Sequence, residues 1–316
     1  SPRLTARVLE FLRAHRTRAE RNRQPFFLCV GYVDTHSPHR DAPDDLVALY
    51  DTATFRDIPD EPYAAVHGRP LTTVSKDPAA ERRKRQQYYA AASSIDREVG
   101  QILADLAAHG ELDDTLVVYT SDHGLNAGHH GLWEKGNITT PQNFLDESIR
   151  VPCTLSWPNG GFRRGAKVDL PVNHCDLHAT LLDAAGVTVR PDPGMPSPGR
   201  SYLPALRGRP PARWRDAHIG EYGNARMIRT ADYKLILRYP FKGRRDPDEL
   251  YDLRNDPRET VNRFGDPALA RVTQDLRRRL DAFFARYTVE GCSGLDLERQ
   301  PRFNDDCPWL RPRVPL

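Results

Sequence analysis

Between Ser121 and Gly136 the chain gathers acid, imidazole and amine side chains in one short stretch. Asp122 and His123 stand side by side, His129 and His130 follow, and Lys135 comes thirteen residues after Asp122. A carboxylate oxygen beside an imidazole nitrogen suits a divalent cation, and a lysine ammonium is a mobile point charge for an anionic group. The pair follows residues 115–118, an apolar, β-branched run that predicts a buried parallel strand. Both side chains therefore stand where the strand ends, the place at which open α/β sheets collect ligands. Taken alone, Asp-X-Gly after a strand also reads as a turn, and Lys135 as a solvated lysine.

The elements that must position these residues follow from periodicity. Leu4, Val8, Phe11 and Leu12 keep helical spacing ahead of a strand-sized apolar run at residues 26–33. A Pro-rich stretch without period, residues 37–76, predicts a long surface excursion near the site. Ala91, Ile95, Val99, Ile102 and Leu106 predict a helix stopped by Gly110, leading into the 115–118 strand. A strand at 151–157 and a helix at 177–185 continue a βαβ alternation, which argues α/β with a mostly parallel sheet flanked by helices. Residues 187–199 carry four prolines and two glycines and read as a linker, so the expected domains are 1–190 and 191–316. Beyond it, runs at 217–222, 226–230, 234–239 and 249–252 predict a small antiparallel sheet. Leu269, Val272, Leu276, Leu280 and Phe283 predict a closing helix.

The stretch Tyr-Thr-Ser-Asp-His-Gly-Leu to Gly-Leu-Trp-Glu-Lys-Gly, with Asp146-Glu147-Ser148-Ile149-Arg150-Val151-Pro152, resembles the metal-and-lysine segment of the type I sulfatases, in the alkaline phosphatase superfamily. Upstream, Pro25-Phe26-Phe27-Leu28 through Asp34-Thr35-His36-Ser37-Pro38 resembles the strand and loop that deliver an active-site histidine. Downstream, Arg226-Met227-Ile228-Arg229-Thr230, Glu249-Leu250-Tyr251-Asp252-Leu253 and Asn255-Asp256-Pro257 are similar to the family's C-terminal subdomain. Matches in the family's order run over about residues 25–265.

The resemblance implies an alkaline phosphatase-like α/β domain, incomplete at its N-terminus, with a smaller C-terminal antiparallel subdomain. It implies a sulfuric ester hydrolase in which Asp122 and His123 bind a divalent metal, Ca²⁺ first, with Mn²⁺ or Mg²⁺ as alternatives. Lys135 would bind a sulfate oxygen and His36 would assist the leaving oxygen, with His39 ranked behind it. His130 and Arg226 are the expected substrate contacts, although backbone bonding for the first and ion pairing for the second would explain them equally. The expected ligand is a small-molecule or carbohydrate sulfate ester. The Cys/Ser-X-Pro-X-Arg string that becomes formylglycine does not occur among these 316 residues. The expectation is therefore a C-terminal portion whose nucleophile lies upstream and which is inactive by itself. Phosphonate monoester hydrolase or phosphodiesterase activity, and a non-catalytic binding protein, are the rival readings.

Composition excludes other classes. A net charge of +3 is too mild to imply nucleic acid, and Arg82-Arg83-Lys84-Arg85 falls in a helical pattern, where a solvated face is the ordinary explanation. No apolar run is long enough to cross a bilayer. Five cysteines are too few for a disulfide scaffold; Cys292 and Cys307 flank a polar tail in which one bridge could form in an oxidising compartment, while a reducing one would leave both as thiols. Compartment and oligomeric state have no signature here.

Overall fold

The computed structural model describes residues 1–22, 24–59, 61–188, 190, 192 and 194–299. The chain divides into two compact units. The first comprises Ser1–Tyr63, Arg69–Thr140 and Asp146–Gly160; the second comprises Ala64–Gly68, Pro141–Leu145 and the chain from Gly161 onward. Residues 161–190, which the sequence groups with the first domain, cluster with the second. Cys307 lies outside the described residues, and its pairing with Cys292 with it.

The first unit begins with α1 (Pro2–Asn22), whose Val8 and Leu12 are buried. They pack with Leu106 of the long α3 (Pro78–Ala108) and with Phe26, Leu28 and Val30 of the segment between them. That apolar side supplies the burial that holds the two helices together. Before α3 come the short α2 (Asp44–Ala48) and the two-residue β1 (Arg69–Pro70). The start of α3 is set by Asp77, whose carboxylate accepts from the Ala79 N–H at 2.9 Å, and by Pro78, which needs no N–H there. Its end is set by Gly110 at φ +69, the left-handed stop that the sequence predicts.

After α3 the chain forms β2 (Val117–Thr120), β3 (Thr139–Thr140, paired with β1), the one-turn α4 (Asp146–Ile149) and β4 (Cys153–Ser156). β2 and β4 pair antiparallel, Val117 opposite Ser156 and Thr120 opposite Cys153, where the sequence reading expects parallel neighbours. The cause lies in the connection. Gly124 donates to the Ser148 carbonyl at 3.0 Å and stands against the Arg150 carbonyl, so α4 sits at the end where β2 finishes. The chain re-enters from that end and must run back. The exposure of residues 26–33 alternates residue by residue, as along a strand, but residues 24–33 have no ladder partner among the described residues.

The second unit opens with α5 (His174–Ala184), capped reciprocally by Asn173 and Asp176, followed by α6 (Leu203–Leu206). Four strands then pair in sequence order as an antiparallel meander: β5 (Ala217–Tyr222), β6 (Ala225–Thr230), β7 (Tyr233–Arg238) and β8 (Glu249–Asp252). α7 (Ala270–Tyr287) lies on this sheet, and Leu276 and Leu280 join Ala217, Ile228, Leu235, Leu237 and Leu250 in one core. The four strands match the sequence expectation within a residue; α5 starts three residues earlier than expected, α6 has no counterpart in that expectation, and α7 runs on to Tyr287.

Candidate functional site

β2 ends at Thr120 and releases Asp122 and His123 into a tight turn. The Ser121 hydroxyl donates to the His123 carbonyl at 2.9 Å, and the His123 N–H donates to Asp122 Oδ1 at 2.9 Å. The Asp122 side chain is 83% exposed. Burial by itself would raise its carboxyl, but the His123 ring, the backbone donors and the Ser121 hydroxyl together hold it below the ordinary carboxylate value.

His123 Nδ1 lies 2.9 Å from the Gly124 carbonyl, which only accepts, so Nδ1 carries the hydrogen. Nε2 then faces Asp122 Oδ2 at 3.5 Å. In the neutral ring this brings two lone-pair atoms together, and a cation between them satisfies both. An imidazole oriented through its other nitrogen is the usual arrangement of a metal ligand. The donor set therefore fits a divalent ion and accounts for two ligands; among the described residues no group of three or more His, Cys, Asp or Glu side chains is assembled for a metal.

The loop that follows is fixed at several points. A Cβ on Gly124 would lie 2.1 Å from the Glu147 carbonyl oxygen, so only glycine fits. The buried Asn126 donates from its backbone and its side-chain amide to the Glu134 carbonyl at 3.0 and 2.6 Å, closing the loop just before Lys135. Lys135 is half-buried, and its ammonium has neither hydrogen bond nor ion pair among the described residues.

His130 does not line an open surface. Its ring is buried, with Nε2 2.8 Å from Glu147 Oε2 and Nδ1 3.9 Å from Glu61 Oε1, and its backbone N–H donates to Glu61 at 2.7 Å. It ties the loop to two carboxylates at φ +56, a backbone strained for a non-glycine residue. Arg226 belongs to the second unit, where its guanidinium pairs with Glu221 at 2.8 Å, donates to Ser293 Oγ at 3.2 Å and stacks 3.8 Å from the Phe284 ring.

His36 is exposed, with Nδ1 3.0 Å from the Ser37 carbonyl. His39, ranked second by the sequence, is buried, with Nε2 3.4 Å from Glu134 Oε1. The His39 contact, followed by the charges of His39, Lys84 and His36, outweighs burial and holds the Glu134 carboxyl below its ordinary value. Glu134, the residue beside Lys135, thus links its own loop to the one that carries His36 and His39. Sequence reasoning passed over this carboxylate; its only signal was its place next to the lysine.

Comparison with known proteins settles what kind of fold presents these groups. A family model for sulfatases matches residues 2–187, and a second, for the C-terminal part of N-sulphoglucosamine sulphohydrolase, matches residues 128–286. The chain belongs to the sulfatase family. Sulfatases generally use a divalent metal and a formylglycine. This sulfatase-family chain is 34% identical over 205 residues to N-acetylglucosamine-6-O-sulfatase of Bacteroides thetaiotaomicron, covering 61% of the chain and 34% of that protein. It is 33% identical over 216 residues to choline-sulfatase of Rhizobium meliloti, covering 66% of the chain and 39% of that protein.

Among solved structures, one in complex with its substrate D-glucosamine-2-N,6-O-disulfate aligns with a TM-score of 0.57 at 32% identity over 69% of the chain and 44% of its own. Phosphonate monoester hydrolase of Agrobacterium radiobacter aligns with a TM-score of 0.57 at 27% identity over 66% and 42%. These likenesses make the fold alkaline phosphatase-like, with a C-terminal antiparallel sheet. The chain spans 34–39% of the length of these two curated relatives.

Proposed function

We propose that this chain forms part of a sulfuric ester hydrolase acting on sulfated carbohydrates. The observation that carries the reading is the Asp122–His123 pair, with Nδ1 of the ring bonded to Gly124 and Nε2 turned to the carboxylate. These two residues would hold the divalent ion, Ca²⁺ or, given the imidazole, Mn²⁺. The bound ion would polarise the oxygens of the ester's sulfuryl group and neutralise charge developing on them. Lys135, whose ammonium is unpaired among the described residues, would bind a non-bridging oxygen, and exposed His36 would donate a proton to the departing alcohol oxygen. Glu134 would keep His39 in register beside them, and His130 would hold the loop rather than touch substrate. The carbohydrate reading draws on the relatives that act on glucosamine sulfates.

None of these 316 residues supplies the Cys/Ser-X-Pro-X-Arg string, so the chain alone should not turn over 4-nitrophenyl sulfate above background. Calorimetric titration with Mn²⁺ and with Ca²⁺ tests the metal assignment directly. We expect one ion per chain, weakened at least about tenfold by Asp122→Asn and by His123→Ala. Equal binding by the variants, or turnover by the purified chain, would overturn the reading. Phosphonate monoester hydrolysis is the second reading, because an enzyme of that activity shares the fold at 27% identity. If inorganic phosphate binds the metal-loaded chain more tightly than sulfate, the second reading gains.

A further inference from the structure

The run Arg82-Arg83-Lys84-Arg85 on α3 does not behave as one solvated face. Arg82 donates to the carbonyls of Ala53 and Asp51 at 2.9 and 2.6 Å, and Arg85 pairs with Glu81 at 3.0 Å. Arg83 and Lys84 have no such partner. They line a cavity of about 490 Å³ together with Arg40, and among the described residues none of the three cations makes a hydrogen bond or an ion pair. The carboxylates whose charge acts on Lys84 are already engaged: Glu81 with Arg85 and the Trp133 indole N–H, Glu134 with His39. The ammonium of Lys84 instead rests 4.2 Å from the Trp133 ring centroid, where the aromatic face holds it half out of water.

The same cavity is lined by His39, which is buried beside the Tyr88 and Trp133 rings; neither ring nitrogen makes a hydrogen bond among the described residues, Nε2 standing 3.4 Å from Glu134 Oε1. Nε2 is turned to Glu134, whereas Nδ1 is a buried polar atom with nothing to bond among the described residues, which is unfavourable until a ligand reaches it. Three like charges around one hollow repel one another, and a bound anion reverses the sign of that interaction. The rest of the lining, Pro38, Val47 and Ala80 with the amides of Gln86 and Gln87, gives the mixed surface of a small-molecule site, and the volume lies in the usual range for one.

We propose that this cavity binds an oxyanion, as a free ion or as a sulfate, phosphate or carboxylate substituent on a small ligand. Arg83, Lys84 and Arg40 supply the charge and His39 a hydrogen bond. The His39 ring offers Nδ1, which has no partner among the described residues, as the donor to the oxyanion. This site is distinct from the sulfate position assigned to Lys135 and stands whether or not that assignment does.

The test is a calorimetric titration of the full chain carrying Lys135→Ala, so that the proposed catalytic position does not contribute, at constant ionic strength. Sodium sulfate and glucose 6-sulfate are the probes. We expect saturable binding with a Kd of about 10 mM or tighter, weakened at least tenfold by Arg83→Ala with Lys84→Ala and unaffected by Lys76→Ala, which removes an exposed charge near the same helix start. Tighter binding of glucose 6-sulfate than of sulfate identifies a substituent-reading site; the reverse identifies a free-ion site. If the double variant does not fold, Arg83→Ala alone, at an exposed position, carries the comparison. No saturable binding of either probe, or equal weakening by Lys76→Ala, overturns the proposal.

Discussion

Glu134 joins groups that the sequence leaves far apart. Its carboxylate pairs with His39 and feels Lys84 and His36, and these contacts hold it below its ordinary value. A carboxyl so displaced stabilises the fold above its unfolded value of about 4.3, and the contribution is lost as pH falls through the lower, folded value. Glu134→Gln should therefore cost about 1 kcal/mol near pH 7, and the gap to wild type should close as the pH drops below about 4. Urea unfolding at the two pH values measures it; a gap that persists at low pH would assign the loss to shape rather than charge. The contrast with Asp122, His123 and Lys135 explains what the sequence could disclose. Those three lie in one loop behind one strand, so covalent spacing alone groups them. His39 meets Glu134, and His130 is enclosed by Glu61 and Glu147, only through the fold, and no local pattern announces a contact of that kind.

At the scale of elements, the loop after β2 works as a unit with α4. Gly124 stands where a methyl group would lie 2.1 Å from one carbonyl oxygen and 2.6 Å from another, both backbone atoms of residues in or beside α4. Gly124→Ala should destabilise the first unit by about 2–4 kcal/mol, since neither carbonyl moves without moving α4. It should also weaken metal binding, because Asp122 and His123 hang from the same turn. A melting curve and the Mn²⁺ titration together check this; an unchanged melting temperature would mean that the loop is looser than the hydrogen bonds from Gly124 and Asn126 imply. Helices and hairpins here were legible because their signals are local: apolar spacing and the glycine stop for α3, and short runs broken by turn residues for the meander. The direction of β4 was not legible, because it depends on where α4 docks.

Considered over the whole first unit, the segment at residues 24–33 shows two different sides. Phe26, Leu28 and Val30 pack against Val8, Leu12 and Leu106, whereas Phe27 and Val33 are 79% and 76% exposed and Cys29 is exposed between them. The alternation has the period of a strand, yet both sides are apolar, and the backbone has no ladder partner among the described residues. An exposed apolar row on an unpaired backbone is a template for association. Phe27→Ser with Val33→Ser removes that row while giving up little buried surface. The double variant should raise the soluble fraction and shift the melting temperature by no more than about 2 °C. Leu28→Ala, on the packed side of the same segment, should lower stability by about 1–3 kcal/mol, because its side chain is only partly buried. Soluble yield and thermal melting of the two variants, compared with wild type, separate the cases. If the serine variant melts as early as Leu28→Ala, the row at Phe27 and Val33 is covered in solution. It would then be part of a core rather than a surface.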